Sequence, residues 1–598
     1  MSVMKYAFLS LLAGLLAFAS CSSDQGGPTQ PPNIILVITD DQGYGDLSAH
    51  GNPWLQTPNL DQLHSQSIRF TDFHVGTTCA PTRSMIMTGK NCNKVGAWHT
   101  IVMRQIPWKD EVMLPELFQG AGYATGMFGK WHLGDNYPYR PQDRGFDEAL
   151  MHGGGGVGQT PDYWNNDYFG DTYFRNGEPE KQEGYCTDVW FRAAMDFIED
   201  HRDQPFFCYL ATNAPHGPFH VDTTYIKPYQ DNESIENAAF YSMIANIDEN
   251  MGRLRNKLEE LKLADNTILV FMTDNGSAAG CALDEDGFVN KGYNAGMRGK
   301  KGSPYEGGHR VPFFIHWKNG ELSTGRDIDR LAAATDIAPT LLDLCGINIP
   351  AEVQFDGKSL RPLLRNENWE DRTLIIDTQR ELYLKKYKQY AVMTEQWRLV
   401  NGRLFDMQKD PGQKTDLSEN HPDVVQTLMT SYENWWTDVS ARADEVNYFP
   451  LGKSVGDRQA LTQHDLFPAD DRVAWHQSHI RAGRSYAGYW NVEIEVPGRY
   501  RFELRRWPAE SGLGLNEAAP IGDYIPTGLA FEAGEVLNIT GATLEIAGQQ
   551  KEMKTAEEAL SAVFELDLES GQYPLIAGFL NDQQQWSSAY YVSVSRVN

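Results

Sequence analysis

Three continuous apolar runs constrain the fold of this chain more than any other feature. Asn33–Thr39 (NIILVIT) is rich in β-branched residues and runs into Asp40-Asp41. Thr267–Thr273 (TILVFMT) runs into Asp274-Asn275-Gly276, and Pro205–Ala211 (PFFCYLA) leads to Asn213 and Pro215-His216. A strand with one wet face alternates, whereas an unbroken apolar run is covered on both faces, as in a parallel sheet. Helical stretches at Asp188–His201 and Phe240–Leu263 lie between the runs. Strands alternating with helices predict an α/β fold, a mostly parallel sheet with helices on both faces. Ligands of such sheets sit beyond the carboxyl ends of the strands, where each run delivers polar side chains.

Two later segments have a different character. Residues 350–446 carry Trp397–Val400, Gly402–Asp406 and Asp410-Pro411-Gly412, then the helical stretch Pro422–Val439. They read as a short antiparallel meander plus a helix, a small α+β subdomain. Residues 447–598 alternate in strand style. Trp490–Val496, Pro497-Gly498 and Tyr500–Leu504 predict a hairpin, and Phe564–Leu568 and Tyr590–Val594 continue the pattern. This is expected to be an all-β, sandwich-like accessory domain.

The N-terminus is a separate signal. Lys5 precedes an apolar stretch, Tyr6–Ala19, too short to span a bilayer. It ends in Phe18-Ala19-Ser20-Cys21, which resembles a bacterial lipobox; ordinary signal cleavage is the alternative, because Phe18 stands where Leu is usual. The expected organisation is a lipoprotein-type signal peptide at 1–21, a flexible tether at 22–32, a catalytic α/β domain at 33–349, the subdomain at 350–446 and the β domain at 447–598. That predicts a protein exported to the periplasm or outer membrane of a bacterium, touching the membrane only through a lipid on Cys21. The net charge of -28 argues against nucleic acid as a partner. An anion site in such a chain must be built from local positive charge.

Candidate chemistry gathers in a few motifs. Cys79-Ala80-Pro81-Thr82-Arg83 is followed by Thr88-Gly89. Pro81 suits the first turn of a helix, which puts Cys79 at the helix N-terminus, where free N–H groups favour an anion, and Arg83 one turn on along the same face. Asp40, Asp41, Asp274 and Asn275 offer hard oxygen donors, which suit Ca2+ or Mg2+ rather than zinc. Basic residues stand in Gly129-Lys130-Trp131-His132-Leu133-Gly134, in Asn213-Ala214-Pro215-His216-Gly217-Pro218, and in the run Arg298–Pro312 with Lys301, Glu306 and His309.

Over roughly residues 33 to 440 these motifs resemble the type I, formylglycine-dependent sulfatases, an arylsulfatase-like family of the alkaline phosphatase superfamily. The resemblance implies an alkaline-phosphatase-like fold and a sulfuric ester hydrolase. It implies one Ca2+ held by Asp40, Asp41, Asp274 and Asn275 together with residue 79, and conversion of Cys79 to formylglycine by a maturation enzyme. By the same resemblance the catalytic set is Cys79, Arg83, Lys130, His132, His216 and Lys301, with Lys301 rather than Lys300 in the functional position. The implied mechanism is attack on sulfur by a formylglycine gem-diol, protonation of the leaving oxygen by His216 with Lys301, and removal of the second hydroxyl proton by His132. With Cys21 lipidated and Cys79 modified, five of the seven cysteines remain and cannot all pair, so no disulfide framework is implied.

Substrate contacts are expected from Trp98, His99 and Arg104, from Trp164 and Asn165 in the glycine-rich run Met151–Tyr168, and from His309. Aromatics with amides suit stacking and hydrogen bonding to a sugar, so the expected substrate is a sulfated polysaccharide or oligosaccharide. The alternatives are a phosphomonoester or phosphonate hydrolase of the same superfamily and an inactive glycan-binding surface lipoprotein.

Overall fold

The computed structural model describes residues 30–456, 458–484 and 486–597. The expected signal peptide, Cys21 and most of the tether lie outside these residues. Among the described residues no helix is long and apolar enough to cross a membrane.

The three apolar runs lie side by side in a ten-stranded sheet. Asn33–Thr39 pairs in parallel with Thr267–Thr273 on one side and Phe206–Ala211 on the other. Ala124–Lys130 and Glu148–His152 extend the parallel part, and antiparallel strands close both flanks. The register aligns the strand ends: Thr39 faces Thr273, Ile38 and Gly129 both face Ala211, and Lys130 faces His152. The residues that follow therefore emerge at one level, along one edge of the sheet.

Burial on both faces explains the unbroken runs. Ile34, Leu36 and Ile38 point into one core, shared with Ala80 and Met85 of the helix Cys79–Thr88. Ile35 and Val37 point into the other, shared with Trp190, Met243 and Ile247 of the helices Cys186–Asp200 and Ala238–Glu260. All five strand residues are fully buried, each contributing about 1.5–3 kcal/mol of transfer free energy.

The segment after the large sheet forms a four-stranded antiparallel meander ending in Trp397–Val400 and Arg403–Asp406. The helix Pro422–Val439 lies on it through Leu428 and Tyr432. The C-terminal strands make two facing sheets around one core. The expected hairpin is not formed. Gly488–Ile494 pairs with Gly571–Asn581 in one sheet, whereas Gly498–Arg505 pairs with Ala562–Leu568 and Tyr591–Arg596 in the other. Trp490, Val492 and Ile494 meet Tyr500, Phe502 and Leu504 across the shared core. Period-two alternation fixes which side chains turn inward, and that pattern is the same whether two strands pair edge to edge or face each other.

Candidate active site

Cys79 opens the helix Cys79–Thr88, whose residues are all buried. Burial pushes its thiol pKa up, against the pull of Lys130 and Lys301. Among the described residues all six cysteines are unpaired thiols.

The strand-end acids converge on the same point. Ligand atoms of Asp40, Cys79 and Asp274 lie within 4.8 Å of one another. Lys130 Nζ donates to Asp40 Oδ2 at 2.5 Å, and Arg83 Nη2 donates to Asp274 Oδ2 at 2.9 Å. Arg83 is further fixed by the Lys130 carbonyl at 3.0 Å. The Asp41 N–H donates to Asp274 Oδ1, and Asn275 Nδ2 donates to Asp41 Oδ1, both at 3.0 Å. Lys301 forms an ion pair with Asp41, and His216 Nε2 lies 3.8 Å from the other oxygen of that carboxylate. Asp41 and His132 hold left-handed backbone, φ 73° and 61°, which costs a non-glycine residue about 1–3 kcal/mol and is commonest at functional sites.

Two buried acceptors, Asp40 Oδ1 and Asn275 Oδ1, have no donor. Asp274 is pushed up to about 7, by burial first and then by Asp40 beside it. Burial alone would raise Asp41 too, but Lys301 and His216 override it and hold Asp41 well below the usual carboxylate range. Unsatisfied oxygens, a carboxylate that resists ionising and an all-oxygen donor set are what a hard divalent cation would relieve. Asp40, Asp41, Asp274 and Asn275 thus fit the ion that the sequence implies.

Hydrogen bonds fix the resting tautomers of the two histidines. His132 Nε2 donates to the Thr100 carbonyl at 2.8 Å, which leaves Nδ1 a lone pair, buried and without a partner. His216 Nδ1 donates to the Gly217 carbonyl at 2.6 Å, which leaves Nε2 a lone pair towards Asp41. Burial holds His216 down to about 4, so it is neutral near pH 7. Burial opposes the charge on Lys301, but Asp41 and its neighbours hold its pKa above the usual lysine value. Of this pair, Lys301 carries the transferable proton in the resting site.

The expected sugar contacts divide. Trp98, Arg104, Trp164 and His309 are buried and present no surface to a ligand. Arg104 stacks over Trp98 at 4.4 Å and donates to the carbonyls of Leu382 and Glu445. Trp164 packs against Trp507, with Arg481 over its ring. His309 joins a buried network in which its Nδ1 meets His74 Nδ1 at 2.9 Å and Arg398 bridges Asp72 and Glu306. Asn165 is exposed, but its side-chain Oδ1 accepts from Arg481. His99 keeps a partly exposed ring, held neutral by burial and by Arg380. A pattern of aromatics and amides carries no information on which of them are core.

Residues that the sequence reading did not single out also reach the site. His464 and Asp465, from a short turn in the β domain, are fully buried beside His132, with ring centroids of His464 and His132 6.0 Å apart. Gln105 Nε2 joins them, at 2.8 Å to Asp465 Oδ1 and 3.3 Å to His464 Nδ1. No local motif announces these residues, because only the docking of the β domain brings them there.

The glycine-rich loop has a packing cause. A Cβ at Gly155 would lie 2.3 Å from His132 Cε1, and one at Gly158 (φ 80°) would lie 3.1 Å from Phe531 Cζ and 3.5 Å from His476 Nε2, whereas one at Gly156 would make ordinary contact with His216 Nδ1 at 3.6 Å. The backbone runs as a ribbon past His132 and His216 to the β domain.

Comparison with known proteins agrees with this geometry. A family model described as Sulfatase matches residues 32–347, and one described as N-sulphoglucosamine sulphohydrolase, C-terminal, matches residues 300–435. The N-acetylgalactosamine-6-sulfatase of Sus scrofa is 30% identical over 388 residues, 60% of this chain and 71% of that protein. A sulfatase of Escherichia coli K12, YdeN, is 30% identical over 59% of this chain and 69% of that protein. The crystal structure of Ps i-CgsB in complex with k-i-k-neocarrahexaose superposes with a TM-score of 0.62 at 28% identity, covering 68% of this chain and 93% of that one. Neither family match extends beyond residue 435.

Proposed function

This chain belongs to the sulfatase family, and on that premise we propose that it hydrolyses a sulfate ester carried by a saccharide, using a formylglycine made from Cys79 and one Ca2+. The observation that carries the proposal is the pair of donorless buried oxygens, Asp40 Oδ1 and Asn275 Oδ1, beside Cys79. Charge points the same way. Asp40, Asp41 and Asp274 are matched by Lys130, Lys301 and Arg83, so the side chains alone give an anionic ester little net attraction. A divalent ion held by the four oxygen donors would make the pocket positive. The modification has its own support, because a thiol pushed up by burial stays protonated and is a poor nucleophile.

When bound, the ion supplies Lewis-acid polarisation, and the aldehyde hydrate at residue 79 supplies an oxygen nucleophile. The protein's own groups do the rest. Arg83 and Lys130 fix Asp274 and Asp40 and place two cations beside residue 79, where sulfate oxygens gather charge. Lys301 delivers its proton to the departing sugar oxygen, with His216 Nε2 as the adjoining acceptor. His132 takes a proton at the lone pair of Nδ1, its orientation held by Thr100.

The saccharide part of the proposal draws on the relatives, among them N-acetylgalactosamine-6-sulfatases and a protein crystallised with a neocarrahexaose. Export and lipid attachment at Cys21 belong to the same reading, and retention of a Cys21→Ser variant in the membrane fraction would count against them.

The decisive experiment measures the mass of the tryptic peptide Phe70–Arg83 from active protein, alongside turnover of sulfated and phosphorylated saccharides with and without EGTA. The expected result is an aldehyde in place of the thiol, sulfate release only, and activity lost to EGTA and restored by Ca2+. An intact thiol in fully active protein overturns the proposal.

A further inference from the structure

We propose that the C-terminal β domain is part of the active site, and that His476 and Phe531 form a subsite for a sugar ring on the leaving-group side of the scissile ester. The inference deepens the saccharide reading above and rests on it.

The glycine ribbon supplies the geometry. It passes His132 at Gly155 and His216 at Gly156, and two residues later Gly158 lies against Phe531 and His476, both from the β domain. That contact is built rather than incidental. The Gln477 N–H donates to the Gly158 carbonyl at 3.1 Å, and Thr160 donates to the Trp475 carbonyl at 3.0 Å. Gln477 Nε2 contacts the carbonyls of Gln159, Asp162 and Tyr163 at 3.1–3.3 Å, and its Oε1 accepts from the Asn165 N–H at 3.0 Å. A second tie runs from His220, four residues after His216, to Thr527 Oγ1 at 2.7 Å.

Between these ties lies a cavity of about 480 Å3, lined by Val157, Tyr168 and His220 from one side and by His476, Arg484 and Phe531 from the other. That volume is in the range of small-ligand clefts. Its chemistry suits a pyranose. Phe531 lines the cavity but is 7% exposed, with the Arg481 guanidinium 5.0 Å over its ring, so it shapes the wall rather than offering a stacking face. His476 Nδ1 accepts from the Ser478 N–H at 3.2 Å, so Nε2 carries the proton, and among the described residues it has no acceptor. The guanidinium of Arg484 makes no ion pair among the described residues, but Asp167, Glu532 and Glu535 line the same cavity, which favours a neutral sugar ring over an acidic one. Tyr168 Oη donates to the His216 carbonyl at 3.2 Å, so the cavity wall and the loop of the leaving-group residue are one unit.

The test compares His476→Ala, His476→Gln and Phe531→Leu with the parent in the mature full chain, after thermal melts establish that each is folded. The probes are 4-nitrophenyl sulfate, neocarrahexaose and a chondroitin 6-sulfate tetrasaccharide. The readout is kcat/KM on the preferred oligosaccharide divided by kcat/KM on the aryl ester. This ratio is expected to fall about tenfold in His476→Ala and Phe531→Leu, with part of it restored in His476→Gln. A preference for oligosaccharide that survives all three substitutions overturns the subsite and leaves the saccharide reading standing. Aryl sulfate cleavage in the parent with no turnover of either saccharide overturns both.

Discussion

Gly155→Ala should cripple turnover without unfolding the protein. The added methyl would sit 2.3 Å from His132 Cε1 and 2.4 Å from Nε2. Carbon atoms in contact rest about 3.5–4.0 Å apart, so the ring must move by about 1 Å or more. The ring is 3% exposed and is held by the Thr100 carbonyl at 2.8 Å, so movement sacrifices that hydrogen bond and displaces Nδ1. Gly155 is not in the left-handed region, so the backbone itself tolerates alanine. Misplacing a catalytic group by about 1 Å can cost a factor of about 100, or about 2.7 kcal/mol of barrier. The assay is kcat on 4-nitrophenyl sulfate at saturating Ca2+, with a thermal melt as the folding control. The stringent version is a double-mutant cycle. In a His132→Ala background the colliding ring is gone, so Gly155→Ala should change kcat by less than about threefold. Refutation takes either of two forms: near-parent kcat in the single variant, or losses that simply multiply in the double variant.

The buried network around His309 yields two more predictions. Arg398 is 1% exposed and is the shared partner of Asp72 and Glu306. Arg398→Met leaves those carboxylates without their main partner and should destabilise the fold by about 3–5 kcal/mol, read as a lower denaturation midpoint; a midpoint equal to the parent's refutes the assignment. The same network makes the protein acid-sensitive. Burial, reinforced by His74, holds His309 down to about 3 in the fold, against 6.5 ordinarily. Burial alone would raise Glu306, but Arg398 overrides it and holds Glu306 down to about 2, against 4.5. Both folded values lie below the unfolded ones, so the unfolded chain binds more protons as pH falls. Stability from His309 is complete above pH 6.5 and is lost towards 3, and that from Glu306 is lost between 4.5 and 2. Denaturant midpoints measured across this range should decline monotonically with acid, and a midpoint that is flat down to pH 4 would falsify the linkage.

The parallel strands were legible because burial on both faces leaves no polar position to break the run, and their acids were legible as strand ends. Cys79, Arg83, Lys130, His132, His216 and Lys301 were legible as candidates because each stands in a local motif, and the fold brings them into one cluster. The aromatics were not. Trp98 and Trp164 have the composition of a sugar platform and the burial of a core, and only packing separates the two. The pairing of Gly488–Ile494 was misread for a related reason: alternation encodes inward and outward, not which neighbour completes the ladder.

By itself the sequence determined which side chains stand at the sheet edge, because they follow strand ends and short motifs. The tertiary structure alone decided what surrounds it. His464 and Asp465 lie beside His132, and His476 and Phe531 lie beside the glycine ribbon, because a separate β sandwich docks on the catalytic sheet. Contacts made by docking obey shape and hydrogen-bond complementarity between distant surfaces, and no short stretch of sequence records that complementarity.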